Sequence, residues 1–408
     1  MGSEGTAGRA QEWPRAGTAG NGAARPAGEV VVIGAGPSGL ACAHSLQRVG
    51  LAGRVLEHED RVASTWHGYY DGLRLNSGRI VSSLPGMLID RRFGPFVRRE
   101  DFIDYLDRYA DRVEVPIEFG VEVRRLDRAD GGWLVRTASG DRRASAVIVA
   151  TGVNRVPVRP AWARATDFDG ELLYARDYRN PLLYRGLDVL VVGSGATAND
   201  IVLQLAAGGA ARLRISVRTP PILVPKTVLG LSSAWLSQAM KHGPKLPDSV
   251  QDRLSLLLQR IYFPDAVKYL GAPPTGVRTA LNRRGHGAAI EVGLLDVLRR
   301  GRATVVPAVE ELDRADVVLA GGQRIQPDVV IVATGQRPGL EPLVGHLGVL
   351  GPDGRPVAHG ARTAPGAPGL HFVGYRLPSG QLPDLRLDAP AIARKLAKTR
   401  RHSTAVSA

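Results

Sequence analysis

Two glycine-rich turns carry the most readable chemistry in this chain: Gly34-Ala35-Gly36-Pro37-Ser38-Gly39 and Gly193-Ser194-Gly195-Ala196-Thr197-Ala198. Each follows an aliphatic run, Val30-Val31-Val32-Ile33 or Val189-Leu190-Val191-Val192, and precedes a helix-like stretch. In such a strand-turn-helix unit the first glycine makes the tight turn and the second lets a pyrophosphate approach the backbone. The third position lets helix and strand pack closely, and the helix N-terminus faces the phosphates. One such turn arises readily by chance; two in the same context, about a domain apart, predict two dinucleotide sites. Glu57 closes Arg54-Val55-Leu56-Glu57 roughly twenty residues past the first turn, where a carboxylate accepts bonds from ribose hydroxyls and repels a 2′-phosphate. The first site therefore suits FAD or NAD. The matching place in the second unit reads Arg214-Ile215-Ser216-Val217-Arg218-Thr219, a guanidinium and hydroxyls without a carboxylate, which suits the 2′-phosphate of NADPH. Lys226 follows in Leu223-Val224-Pro225-Lys226, either as a second cation for that phosphate or as basic surface.

With FAD first and NADPH second, the chain resembles the flavin-containing, NADPH-dependent monooxygenases, and the stretches between the turns carry the resemblance. Ala63-Ser64-Thr65-Trp66 and Tyr70-Asp71-Gly72-Leu73-Arg74-Leu75-Asn76-Ser77 resemble the family segment that follows the ribose-binding acid and runs beneath the flavin ring. Phe168-Asp169-Gly170-Glu171-Leu172-Leu173-Tyr174-Ala175-Arg176-Asp177-Tyr178 resembles the fingerprint F-x-G-x-x-x-H-x-x-x-(Y/F/W), with Tyr174 in place of the histidine. Val149-Ala150-Thr151-Gly152 and Val332-Ala333-Thr334-Gly335 resemble the two A-T-G strand ends where the chain leaves and re-enters the flavin domain. Gly369-Leu370-His371-Phe372-Val373-Gly374-Tyr375 resembles the strand that returns under the flavin. The stretch from Ser216 to Lys226, and Gly287-Ala288-Ala289-Ile290-Glu291-Val292-Gly293, are similar to stretches of the plant YUCCA-like branch and its bacterial relatives.

The resemblance implies an α/β fold of two Rossmann-like dinucleotide-binding domains, with the NADPH domain inserted into the FAD domain. The expected division is an N-terminal arm over 1–28, a first FAD part over 29–160, an NADPH domain with a helical insert over 161–325, a second FAD part over 326–398 and a tail over 399–408. Residues expected at the cofactors are Gly34, Gly36, Pro37, Ser38, Gly39, Glu57, Trp66, Val123, Thr151, Gly152, Thr334, Gly335 and Gly374, with Gly193, Gly195, Ala196, Thr197, Arg218, Thr219 and Lys226 for NADPH. The implied reaction passes one oxygen atom of O2 through a flavin C4a-(hydro)peroxide to a small organic substrate. Asn76 is the candidate catalytic side chain, an amide placed to bond the oxygen adduct or the coenzyme amide; Asn76-Ser77-Gly78 reads equally well as a plain turn. In the family the histidine replaced by Tyr174 belongs to the linker that couples NADP binding to oxygenation. The competing enzyme class is an NADPH-flavin oxidoreductase without oxygen insertion.

Composition narrows the remaining classes. The chain of 408 residues is 44% hydrophobic and 23% charged, enough for one large or two medium cores. The stretch through Gly28 is rich in Gly, Ala and Arg without apolar periodicity, and is expected to be disordered. Absence of a twenty-residue apolar run argues against an integral membrane segment. A net charge of +14 raises nucleic acid as a partner, but the arginines are dispersed and no aromatic platform accompanies them. The single cysteine, Cys42, rules out an intrachain disulfide and dithiol redox chemistry and suits a reducing cytoplasm. The nine histidines are scattered, so no metal site is expected. A homodimer is left open.

Overall fold

Residues 30–33 are apolar at every position, so a strand there needs cover on both faces, as parallel sheets with helices on each side provide. The computed structural model, which describes residues 28–164, 168–228, 230–233, 246–285, 288–376 and 381–407, builds two such sheets. The first contains β1 (Val30–Ile33), β2 (Gly53–Leu56), β3 (Ile117–Glu118), β4 (Ala146–Val149) and β10 (Leu370–Phe372), in the order β10-β4-β1-β2-β3, all parallel. The second contains β5 (Glu171–Tyr174), β6 (Asp188–Val192), β7 (Arg212–Ser216), β8 (Thr304–Val306) and β9 (Val329–Val332), in the order β8-β7-β6-β9-β5, again all parallel.

Strand periodicity splits each sheet between two cores. Val30 and Val32 pack with α1 (Pro37–Arg48), α2 (Arg99–Ala110) and α5 (Gln381–Ser407), while Val31 and Ile33 pack under an antiparallel meander that begins at Val123. Val189 and Val191 pack against α3 (Ala196–Gly208), while Leu190 and Val192 face the three strands that start at Val309. Each sheet thus has its own interior. The chain passes between them on two adjacent stretches, Val156–Pro157 and Gln336–Arg337, which pair antiparallel; Val158 N donates to Gly335 O at 2.9 Å.

Three expectations about the division of the chain shift. β9 pairs with β5 and β6, so residues 326–332 belong to the second sheet, and the return to the first half comes after the crossing ribbon at 336–337. Residues 399–407 continue α5 rather than forming a separate tail. In the expected helical insert, α4 (Asp248–Tyr262) forms, whereas Leu231–Ser232 is half of a short hairpin with Thr227–Val228. An apolar run expected to be helical over Ser232 to Met240 is outside the described residues from 234 on, as is the arm up to residue 27.

Asn199, fully buried near the start of α3, has neither amide atom hydrogen-bonded among the described residues. A buried unsatisfied amide costs about 1–3 kcal/mol. Asn199→Leu is therefore expected to raise the thermal midpoint by roughly a few degrees, read by scanning calorimetry of the FAD-loaded protein. A lowered midpoint would mean that the amide has a partner in solution.

Candidate active site

The first turn separates glycines the protein requires from one it does not. Gly34 has φ +103°, and a Cβ there would lie 2.8 Å from the Ala150 carbonyl oxygen; a Cβ on Gly39 would overlap the Gly34 carbonyl. Gly36, by contrast, has φ −75° and ψ −176°, accessible to any residue, and a Cβ would meet nothing within 4 Å. Open space in front of an unstrained glycine at a helix N-terminus is the shape of a cradle for a group that approaches backbone. The second turn repeats it. Gly193 has φ +137° and a Cβ there would overlap the Ala333 carbonyl, while Gly195 is extended and faces open space. Buried Ala198 takes the third position, and Ala196 and Thr197 open α3.

The structure gathers most of the expected FAD residues around the first cradle. Glu57 is buried directly after β2, its Oε2 accepting from Ala35 N at 2.5 Å and its Oε1 from Glu59 N at 3.1 Å, so the carboxylate is fixed against the turn. Gly374, with φ +86°, brings the end of β10 onto α1: a Cβ there would stand 2.5 Å from Ser38 Oγ. Beside it the buried Tyr375 hydroxyl, pushed up to about 12 by burial, meets Thr151 N at 3.1 Å and Thr151 Oγ1 at 2.8 Å. Gly152 continues that loop at φ +84°. Ala63 N donates to Ala35 O at 3.1 Å, tying the segment that bears Trp66 to the turn, and Trp66 packs edge-on against Phe102 at 4.6 Å. Val123 is not part of this set. It pairs with Thr137 inside the meander, and the residue beside Glu57 is Val121, whose N donates to Glu57 O at 2.8 Å. Thr334 and Gly335 close β9 in the second sheet, where Thr334 Oγ1 donates to Val158 O at 2.8 Å. They belong to the crossing, not to the first cradle.

At the second cradle Arg218 is exposed just past β7 and has no ion pair or hydrogen bond among the described residues. Thr219 reaches the turn, its carbonyl accepting from Ser194 Oγ at 3.4 Å. Neighbouring groups are already occupied: Ser216 Oγ donates to Pro307 O at 2.8 Å and Arg214 pairs with Asp188 at 2.6 Å. Arg218 is thus a cation left without a partner beside the second turn among the described residues. Lys226 does not join it. The strand Ile222–Pro225 leads away from the turn, and Lys226 Nζ lies 4.3 Å from the centroid of Phe96 in the first half.

Asn76 lies on that same side of the molecule. Arg74 and Arg98 form an antiparallel bridge, and Leu75 N donates to Val97 O at 2.8 Å. Leu75 and Val97 are buried, the bridged Arg74 and Arg98 are exposed, and Asn76 and Phe96 are half-buried at the bends beside the bridge. The Asn76 amide is uncommitted among the described residues, while the Ser77 and Ser82 hydroxyls bond at 2.6 Å in the turn that follows. Nearby, Tyr70 OH donates to Asp200 Oδ2 at 2.8 Å, joining the two halves; burial raises both groups' pKa values. Tyr70 meets Tyr178 edge-on at 5.9 Å, and Tyr178 stacks on Tyr184 at 5.7 Å. Tyr174 is held by Arg159, 5.2 Å above its ring, with its hydroxyl 3.5 Å from Ala163 O. Sequence reasoning missed Tyr70, Asp200 and Tyr375, which have no spacing signature; adjacency to Gly374 was the only sign of the last.

A family profile described as pyridine nucleotide-disulphide oxidoreductase matches residues 31–245. The probable indole-3-pyruvate monooxygenase YUCCA9 of Arabidopsis thaliana is 31% identical over 383 residues, covering 92% of this chain and 90% of that protein. The chain belongs to the flavin-containing, NADPH-dependent monooxygenases. Its fold is also that of a variant flavin monooxygenase from Stenotrophomonas maltophilia (TM-score 0.67, 23% identity, 93% of this chain and 99% of that one). A structure described as OTEMO in complex with FAD and NADP has TM-score 0.68 at 18% identity, over 93% of this chain and 85% of the other. The protein is an FAD-dependent monooxygenase that uses NADPH, and its two cradles fit these cofactors. The disulphide chemistry in the profile's description finds no dithiol here, since Cys42 is the one cysteine and is buried with its thiol pKa raised. No group of residues suited to a metal ion occurs among the described residues, and no helix there is long and apolar enough to cross a membrane.

Gly36→Val is expected to give a folded but colourless protein, because the added methyls enter only the open cradle; far-ultraviolet circular dichroism and flavin absorbance read the two properties separately. Retained FAD would reassign the turn. Arg218→Ala is expected to raise KM for NADPH about ten- to hundredfold and leave NADH nearly untouched, since it deletes a charge-assisted contact to the 2′-phosphate alone. Equal weakening for both coenzymes would make Arg218 structural.

Proposed function

We propose that this enzyme oxygenates a small 2-oxo acid, releasing its carboxyl carbon: R-CO-COOH + O2 + NADPH + H⁺ gives R-COOH + CO2 + H2O + NADP⁺. Two electrons come from NADPH and two from the substrate, and each product oxygen is accounted for. Heteroatom N- or S-oxidation and Baeyer–Villiger insertion use the same scaffold. The observation that favours decarboxylation is the similarity to proteins named indole-3-pyruvate monooxygenases across most of the chain.

Bound FAD supplies the redox chemistry, accepting hydride from NADPH and activating O2. The chain supplies position. Glu57, whose two oxygens accept from Ala35 N and Glu59 N, would turn its remaining lone pairs to ribose hydroxyls, the amides at the starts of α1 and α3 would meet the pyrophosphates, and Arg218 would hold the 2′-phosphate. The Tyr70–Asp200 bond holds the two halves together beside the face that bears Asn76. Asn76 would offer an amide donor and acceptor to the flavin edge, with the buried Leu75 and Val97 anchoring the segment behind it.

The reaction is tested by product mass across a panel of a 2-oxo acid, a ketone, an amine and a thioether under ¹⁸O2. The 2-oxo acid should yield the acid one carbon shorter with one labelled oxygen. If only hydrogen peroxide forms with every substrate, the protein is an NADPH-flavin oxidoreductase. Asn76→Leu keeps approximate volume and removes both hydrogen-bonding groups, so flavin reduction by NADPH should continue while peroxide replaces oxygenated product. Unchanged coupling would return Asn76-Ser77-Gly78 to the role of a turn.

A further inference from the structure

Lys226 is an ammonium of the second half seated on Phe96 of the first, and its surroundings are unusual for a lysine. It is half-buried, its Nζ rests on the Phe96 ring, and among the described residues it has neither a hydrogen bond nor an ion pair. Stacking on an aromatic ring compensates only part of the hydration lost by a buried cation. The carboxylate that influences it, Asp200, is beyond ion-pairing distance and already accepts from Tyr70 OH. Arg74 adds like charge, and both desolvation and Arg74 pull the lysine pKa down while Asp200 raises it. Arg74 reaches only the Phe96 carbonyl, at 3.4 Å, and Arg98 opposite it has no bonded carboxylate among the described residues. Of the acids on the neighbouring segments, Asp71 is paired with Arg99 at 3.0 Å and Glu100 with the same guanidinium at 3.1 Å. Lys226, Arg74 and Arg98 thus have no ion pair among the described residues, while the nearby carboxylates Asp200, Asp71 and Glu100 are engaged elsewhere.

The backbone fixes where these cations point. Arg74 and Arg98 form an isolated antiparallel bridge, Asn76 and Phe96 lie at the bends on either side of it, and the Phe96 ring carries Lys226 Nζ 4.3 Å from its centroid. The lysine is held there from behind: Ser233 N donates to Lys226 O at 3.1 Å, and Gly78 N donates to Ser232 Oγ at 3.3 Å, docking the hairpin of the second half on the turn after Asn76. We infer that Lys226, seated on Phe96 and flanked by Arg74 and Arg98, is an anion subsite at the junction of the two halves that binds the carboxylate of the substrate and directs its oxo carbon toward the Asn76 side. The coenzyme's 2′-phosphate is the other anion that could seek these cations, but Arg218 serves it at the far end of the second cradle. The inference rests on the reading of the substrate as a 2-oxo acid for its consequence in turnover, though the subsite itself binds any small arylalkyl carboxylate.

The test separates the two. Phenylacetate, which cannot be decarboxylated by this reaction, and phenylacetamide are titrated into the FAD-loaded enzyme while flavin absorbance is followed. The parent should bind the carboxylate roughly tenfold or more tighter than the amide, Lys226→Met should abolish that preference, and Lys226→Arg should keep most of it. In turnover, the ratio of kcat/KM for a 2-oxo acid to that for its methyl ester should fall about ten- to hundredfold in Lys226→Met, mainly through KM. Lys226→Gln is read beside it, so that a variant poor in FAD does not decide the outcome. No carboxylate preference in the parent, or an undiminished one in both variants, overturns the subsite. A rise in KM for NADPH with the preference intact assigns the lysine to the coenzyme and overturns it too. Lysine-dependent binding of phenylacetate without oxygenation of any 2-oxo acid would sustain the subsite and sink the proposed reaction.

Discussion

Everything this enzyme does depends on holding two nucleotide cradles in a fixed relation, and a buried contact that ties the two halves together is the bond from Tyr70 OH to Asp200. Tyr70 is itself buried and packs edge-on against Tyr178, so the donor is fixed by one half and the acceptor by the helix that opens the other cradle. A carboxylate desolvated in this way is stabilised by its hydrogen bond and by the nearby lysine, and would be costly without them. The fingerprint segment ending at Tyr178 thereby has a physical role: it carries the aromatic ring on which Tyr70 rests. Gly170 in the same segment is demanded by packing, since a Cβ there would lie 2.7 Å from the Phe168 ring and 2.8 Å from Asp328 O.

What the sequence made legible was local. A turn glycine that would collide with a carbonyl, a second that faces open space, and an acid at a strand end leave marks within about twenty-five residues of one another. Glu57 is accordingly fixed against the first turn by Ala35 N, Thr219 touches the second through Ser194, and Gly374 closes on Ser38. What was not legible depended on contacts between distant segments. The destination of Lys226 is decided by how the hairpin after Pro225 docks on Gly78, and neither residue carries a sign of the other. The aliphatic run at 329–332 would suit either parallel sheet, and only its pairing with β5 and β6 assigns it to the second. Val121 and Val123 differ by one strand period, too little for pattern to separate.

α4 shows the limit of reading burial from amphipathicity. Its apolar residues Leu254, Leu257, Leu258 and Ile261 are exposed, while Ser255 and Gln259 are buried. The inward residues serve backbone groups: Gln259 Oε1 accepts from Leu223 N at 2.9 Å and Ser255 Oγ from Val277 N at 3.1 Å. Unpaired amides beside a two-stranded ribbon recruited polar side chains, and the apolar stripe was turned outward as a result.

The crossing ribbon has a further consequence. The second half enters at Val156–Pro157 and leaves at Gln336–Arg337, and because these pair directly its two ends meet at one point. Between them lie a complete sheet and both of its interiors. Such a piece can be exchanged between related chains as a cassette: the host interior is closed by its own strands β1, β4 and β10 and asks of any replacement two ends one strand spacing apart and a surface that meets Tyr70, Phe96 and Gly78.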